Sequence, residues 1–227
     1  MHKLFFVIGV TFACMGCATF SNKSKPVPAS LLKLSSDIQQ AIIVQSIDDE
    51  SHALLSAWQR EGGVWHQVDK PMSAVIGRNG FARAGEKREG DGQTPTGVYV
   101  IRRAFGYPLN VETGLEYRQA TENDFWVDDY SSPQYNQWVT GEPNAKSFEQ
   151  LKRDDDLYKY GIVIEYNTDP IVPGYGSAIF LHIWRNKNHA TAGCVAVSEE
   201  NMAKLLEWLS VDQNSVILLG TATELSP

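Results

Sequence analysis

The chain reads Ser177-Ala178-Ile179-Phe180-Leu181-His182-Ile183, passes through a polar loop, and resumes as Thr191-Ala192-Gly193-Cys194-Val195-Ala196-Val197-Ser198. Both apolar runs are short, rich in β-branched and aromatic residues, and bounded by Gly, Ser and Thr. That is the pattern of strands covered on both faces rather than of helices. They set a histidine and a cysteine at opposite ends of one loop. A loop can bring its two ends together, whereas residues spaced along one continuous strand never meet.

A thiol attacks carbonyl carbon as a thiolate, and an ordinary thiol pKa of about 8.5 leaves little thiolate at neutral pH. An imidazole within hydrogen-bonding reach takes the proton and later returns it to a leaving amine. Gly193 before the cysteine opens backbone conformations closed to other residues, so that amides near Gly193 and Cys194 can face an oxyanion. The order, histidine before cysteine, is the reverse of that in papain-like proteases. The pair alone leaves a second reading open, in which Cys194 is a small core residue and His182 a satisfied buried histidine.

Working outward, strands are expected at 41–46, 53–60 and 64–68, the last two joined as a hairpin through Gly62-Gly63. Further strands are expected at 73–76, 98–102, 161–166, 177–183, 195–197 and 215–219. Ser198 is a helix N-cap, with Glu199 and Glu200 in the first turn and Met202, Leu205, Leu206 and Leu209 at helical spacing, so a helix is expected over 198–210. From 105 to 160 the chain is polar and aromatic and reads as a long excursion with little regular structure that helps build a pocket. No internal repeat is found.

The first residues combine a basic start, an apolar run Leu4 to Ala13 too short to span a membrane, and small residues at 16–18, as in a signal peptide. The Gly16-Cys17 junction resembles the bacterial lipobox, with Cys17 the lipidated residue, although Cys14 stands where that pattern prefers Leu, Val or Ile. Ala18 resembles an outer-membrane sorting signal. The expected organisation is therefore a signal peptide at 1–17, a flexible tether at 18–38 and one domain at 39–225. With Cys14 and Cys17 removed or lipidated, Cys194 is left as an unpaired thiol in an oxidising compartment, which favours a chemical use for it. A net charge of −7 with no basic block argues against nucleic acid, and 11% aromatic residues argue against disorder.

The segment 177–198 is similar to the catalytic segment of the L,D-transpeptidases, the YkuD-like domain of bacterial cell-wall enzymes, in which a histidine, a loop and Ser/Thr-His-Gly-Cys follow in order. Gly77-Arg78-Asn79-Gly80, Lys87-Arg88-Glu89-Gly90-Asp91-Gly92 with Thr94-Pro95-Thr96-Gly97, Ser132-Pro133-Gln134-Tyr135-Asn136, Tyr166-Asn167 and Gly174-Tyr175-Gly176-Ser177 resemble a subgroup of that family. The likeness spans roughly residues 40 to 220. It implies a mainly β fold, a sandwich or partly closed barrel of mixed strands with a short helix after the cysteine. It implies Cys194 as nucleophile, His182 as base oriented by the Ile183 carbonyl, and Thr191 and Gly193 as the frame of the oxyanion site.

The resemblance further implies that Cys194 forms a thioester with a peptidoglycan stem peptide and passes the acyl group to an amine, with no cofactor or metal, and that carbapenem-type β-lactams capture the same thiol. Ala192 stands where most members carry a second histidine, and Arg185 and His189 are the loop residues able to fill that gap. Arg185, Thr191 and Trp184 are the expected substrate contacts, Arg185 because a guanidinium pairs bidentately with carboxylate. Trp126, Tyr135 and Trp184 are candidates to line a groove, with core packing the favoured reading of any one of them, and Glu89 and Asp91 read as structural loop carboxylates. The expected location is the periplasm, on the outer membrane through a lipid. The alternatives are a hydrolase of the same bond, an L,D-carboxypeptidase or amidase, and a non-catalytic wall-binding lipoprotein.

Overall fold

Five successive residues of Gln40–Ser46 are buried, which is the burial of a strand with neighbours on both faces. The computed structural model in which this is seen describes residues 26–47 and 51–225. In chain order its elements are α1 (Ala29–Leu32), β1 (Gln40–Ser46), β2 (His52–Glu61), β3 (Val64–Gln67), β4 (Met72–Val75) and β5 (Gly97–Gly106). Then come β6 (Glu116–Gln119), β7 (Asp124–Val127), β8 (Trp138–Thr140) and β9 (Phe148–Gln150). The last are β10 (Tyr160–Ile164), β11 (Phe180–Ile183), β12 (Val195–Val197), α2 (Glu199–Trp208) and β13 (Val216–Gly220).

The strands are hydrogen-bonded in the order β1-β13-β5-β10-β11-β12-β4-β2, and β2 returns to pair with β1 over Gln40–Ser46, so eight strands form a ring. β1 with β13 and β11 with β12 are parallel, whereas the other ring pairs are antiparallel. The β12 to β4 contact rests on one residue pair, Ala196 with Val75, and there the ring is barely closed. This is the partly closed barrel of mixed strands expected from the sequence. β3 extends it through the expected hairpin, in which Gly62 and Gly63 both have positive φ (55° and 85°) and Glu61 pairs with Val64. Two positive φ angles in a two-residue loop match the twist of the flanking strands, and glycine reaches them without strain.

Alternation along the strands divides the apolar residues into three clusters. The interior holds Ile42, Val44, Ile101, Ile162, Leu181, Val195, Ile217 and Leu219, with Met202, Leu205 and Leu206 of α2 packed against them. Ala41, Ile43, Val216 and Leu218 face outward and are covered by Trp58, Trp65 and Leu31. Leu31 belongs to the helical turn Ala29–Leu32, within the stretch read as tether, and its carbonyl accepts the Trp65 indole N–H at 3.1 Å. The packed chain thus reaches back to that turn. Cys17 and the proposed signal peptide lie outside the described residues.

The third cluster corrects the reading of 105–160 as an excursion with little regular structure. That segment contains β6 to β9, of which β7, β8 and β9 form a separate three-stranded sheet. Its organiser is Asp124, 3% exposed, whose carboxylate accepts hydrogen bonds from Arg118, Trp138, Thr140 and the backbone and hydroxyl of Thr121. So many donors hold the pKa down to about 2 against the effect of burial. The sheet delivers Trp126, Leu151 and, just beyond it, Tyr158 onto Phe105 and Phe180. Phe180 meets Phe105, Trp126 and Tyr158 edge to face at 5.1–5.7 Å, contacts worth about 0.5–1.5 kcal/mol each beyond their burial.

Candidate active site

In the parallel pair β11–β12, His182 stands opposite Ala196 and Leu181 opposite Val195. One step before Val195, Cys194 lies beside Phe180, whose backbone N–H points to its sulfur at 3.4 Å. Side chains alternate along a strand, so Phe180 and His182 share the outer face of the sheet, and Cys194 joins Phe180 in the cluster on that face. His182 and Cys194 line one cavity of about 150 Å³, together with Trp184, Arg185, His189, Ala190, Thr191 and Ala192. The cavity gathers His182, Trp184, Arg185, His189, Thr191 and Cys194 of the sequence candidates, but not Trp126 or Tyr135. Gly193, before the cysteine, is closely packed: a Cβ there would come 2.9 Å from the Gln93 carbonyl oxygen, and its φ is +156°.

The hydrogen bonds at the site define its resting state. The Cys194 thiol donates to the carbonyl of Ala178 at 3.2 Å rather than to the imidazole. His182 Nδ1 is 2.8 Å from the Ile183 carbonyl. A carbonyl has no proton to give, so Nδ1 carries the hydrogen and Nε2 keeps the lone pair. The Gly193 amide donates to Thr191 Oγ at 3.1 Å. Thr191 Oγ in turn donates to the Cys194 carbonyl at 2.6 Å, and its backbone is tied to Ile76 and Arg78. Thr191 therefore locks the turn before the cysteine.

Burial disfavours charge on both members of the pair. It pushes the Cys194 thiol up to about 12, reinforced by the Glu149 charge, and pulls His182 down to about 4 against the help of the Ile183 and Leu157 backbones. Thiol and imidazole are both neutral at neutral pH.

Ala178, which receives the thiol, has φ +52°, a left-handed conformation that costs a non-glycine residue about 1 kcal/mol or more. Asn136 holds it there. Its Oδ1 accepts from the Ala178 N–H at 3.1 Å and from Trp126 Nε1 at 2.8 Å, while its Nδ2 donates to the carbonyls of Tyr166 and Asn167. Trp126 and Tyr135, candidate groove residues from sequence, are buried at 1% and 2% exposure and serve this scaffold instead. Glu89 accepts from Tyr135 and Ser177, and Asp91 accepts from Lys87, Arg88 and Gln93, so both carboxylates brace loops.

Sequence reasoning missed the far wall. Glu149, Arg153, Leu157 and Tyr158 line the same cavity. The Tyr158 ring meets the His182 ring edge-on at 5.1 Å, and its hydroxyl donates to Glu149. Arg153 grips Asp155 with two bonds of 2.9 and 3.0 Å, and Arg185 reaches the same carboxylate at 3.7 Å. These residues sit on short segments without periodicity, and no spacing to His182 or Cys194 announces them.

A family model for the L,D-transpeptidase catalytic domain, YkuD, matches residues 41–218. The chain belongs to that family. This L,D-transpeptidase domain is also similar to solved structures of Bd1075 from Bdellovibrio bacteriovorus (16% identity, TM-score 0.43, 80% of this chain and 47% of that one). Similar too are a mutant of the helical cell shape determining protein Pgp2 from Campylobacter jejuni (16%, 0.44, 82% and 48%) and unmutated Pgp2 (14%, 0.39, 80% and 47%). The chain spans about half the length of these proteins. No curated protein sequence matches it. Within the L,D-transpeptidase family, this domain places Ala192 at the exposed rim of the cavity.

Proposed function

We propose that the protein is a peptidoglycan L,D-transpeptidase in which Cys194 is the nucleophile and His182 the base. One observation supports this above the others: the only free cysteine among the described residues shares a small cavity with an imidazole whose Nδ1 is turned to the Ile183 carbonyl. A merely structural cysteine and histidine have no need of a common cavity.

In the resting site the neutral pair is favoured, so the thiol loses its proton as it attacks rather than beforehand. The S–H turns from the Ala178 carbonyl to His182 Nε2 while sulfur bonds to the acyl carbon of the stem peptide. The imidazole returns the proton to the departing amine of the terminal D-residue, leaving a thioester. An amine then takes the acyl group. Arg185 and Trp184 at the cavity edge are the contacts for the donor peptide. The Gly16-Cys17-Ala18 junction supports secretion as a lipoprotein held at the outer membrane, facing the wall.

Intact-mass measurement after carbapenem exposure tests the nucleophile. A covalent adduct is expected on the wild type and not on Cys194→Ala. Incubation with purified muropeptides tests turnover: crosslinked or exchanged products are expected from the wild type, with His182→Ala inactive although folded. A wild-type protein that takes no adduct and turns over no muropeptide overturns the proposal.

A further inference from the structure

Glu149 is an ionisable side chain at the site that the proposed acylation leaves without a task. It sits in β9, lines the cavity with Cys194 and His182, and accepts the hydroxyl of Tyr158, the residue whose ring abuts His182. Burial raises its carboxyl pKa, the Asp128 and Glu89 charges add to this, and the Tyr158 hydroxyl and Arg153 oppose it. Arg153, on the same wall, is already forked onto Asp155.

The second half of a transfer reaction has a need that His182 fits poorly. An amine acceptor arrives in neutral solution as an ammonium ion, with no lone pair to attack with. An imidazole, neutral or cationic, has no negative charge with which to hold that ammonium. A carboxylate in a desolvated wall attracts the ammonium, and one whose protonation is favoured by burial is a stronger base than an ordinary carboxylate. We propose that Glu149 is the acceptor-amine site: its carboxylate binds the incoming ammonium group beside the Cys194 thioester and takes its proton.

The proposal rests on the thioester reading of Cys194, and its steps balance. One ammonium proton passes to the Glu149 carboxylate, and the freed lone pair bonds to the acyl carbon. The C–S bond breaks with its electron pair on sulfur, and the second nitrogen proton passes through His182 to that sulfur. One amide forms, one thioester is lost, and Glu149 releases its proton to water.

The test is product partition. Wild type and Glu149→Gln are incubated with a purified tetrapeptide muropeptide and excess D-methionine, and the ratio of exchanged to hydrolysed product is read by mass spectrometry. A partition ratio is insensitive to how fast the thioester forms. A fall of about tenfold or more is expected in Glu149→Gln, with Glu149→Asp between the two. Tyr158→Phe, which breaks the same hydrogen bond and keeps the carboxylate, is expected to retain a higher ratio than Glu149→Gln. An unchanged ratio in Glu149→Gln, an equal fall in both variants, or a wild type that only hydrolyses overturns the inference. If Glu149→Gln does not fold, an unchanged ratio in Glu149→Asp overturns it. A wild type with no turnover at all sinks the thioester reading instead.

Discussion

The Cys194 thiol is held by the carbonyl of Ala178, an alanine with φ +52°, at 3.2 Å. A right-handed or extended backbone at Ala178 would turn that carbonyl elsewhere. The direction of the thiol is therefore set by a strained peptide two residues before the strand that carries His182, and the strain is maintained by Asn136.

Replacing Asn136 by Ala removes four hydrogen bonds at a residue 3% exposed and leaves the Trp126 indole and the Ala178 amide without their acceptor. Each unsatisfied buried donor costs about 1–3 kcal/mol, so the two together predict a loss of about 2–6 kcal/mol in urea unfolding. Carbapenem capture should slow at temperatures where the variant is still folded. A variant with wild-type stability and capture rate would show that Asn136 does not hold the Ala178 turn.

The thiol should stay protonated far into alkali. Its pKa is pushed up to about 12 by burial, so the difference in thiolate ultraviolet absorbance between wild type and Cys194→Ala should show no step between about pH 6 and about pH 10. A step inside that range would mean that the empty site already stabilises the thiolate.

Acid stability should carry the mark of His182. In the unfolded chain it charges near 6.5, but in the fold it stays neutral until about 4. The folded-state pKa is depressed and the neutral form is the one the fold prefers. This contribution is therefore complete above 6.5 and is lost as the pH falls from 6.5 to 4, an effect on the order of 3 kcal/mol. Asp124, held at about 2, acts in a lower window: its contribution is lost between 3.8 and about 2. Urea midpoints measured across these pH values on wild type and His182→Gln should differ in slope in the upper window only. Parallel curves there would remove His182 as the source.

Gly193→Ala puts a methyl group 2.9 Å from the Gln93 carbonyl oxygen at φ +156°. The chain must yield by shifting the turn before Cys194, at a cost of about 1–3 kcal/mol. The expected result is a folded protein, lowered in melting temperature, whose capture by carbapenem is at least about tenfold slower. Full activity in this variant would show that the turn tolerates a side chain.

The barrel was legible because its strands are buried on both faces and advertise themselves as apolar runs, as at Phe180–Ile183 and Val195–Val197. α2 was legible from Ser198, whose hydroxyl accepts the Asn201 amide, and from the spacing of Met202, Leu205 and Leu206. β7, β8 and β9 were not, since they are three or four residues long and are gathered by donors converging on Asp124 from positions 118 to 140. The site divided in the same way. Its near wall comes from one continuous segment with a recognisable order, whereas Glu149 and Tyr158 arrive through that small sheet. Core packing, the favoured reading of Trp126 and Tyr135, is what the structure has, although their partners Asn136 and Glu89 were not legible as such.

β1 pairs at five positions with β13, far along the chain (Ala41 with Val216), and at seven with β2. While residues 216–220 are still unsynthesised, the strand opposite them keeps a bare edge and the ring has a gap where its last stave belongs. No amino-terminal fragment can finish the barrel. Until those residues emerge the ring stays open between β1 and β5.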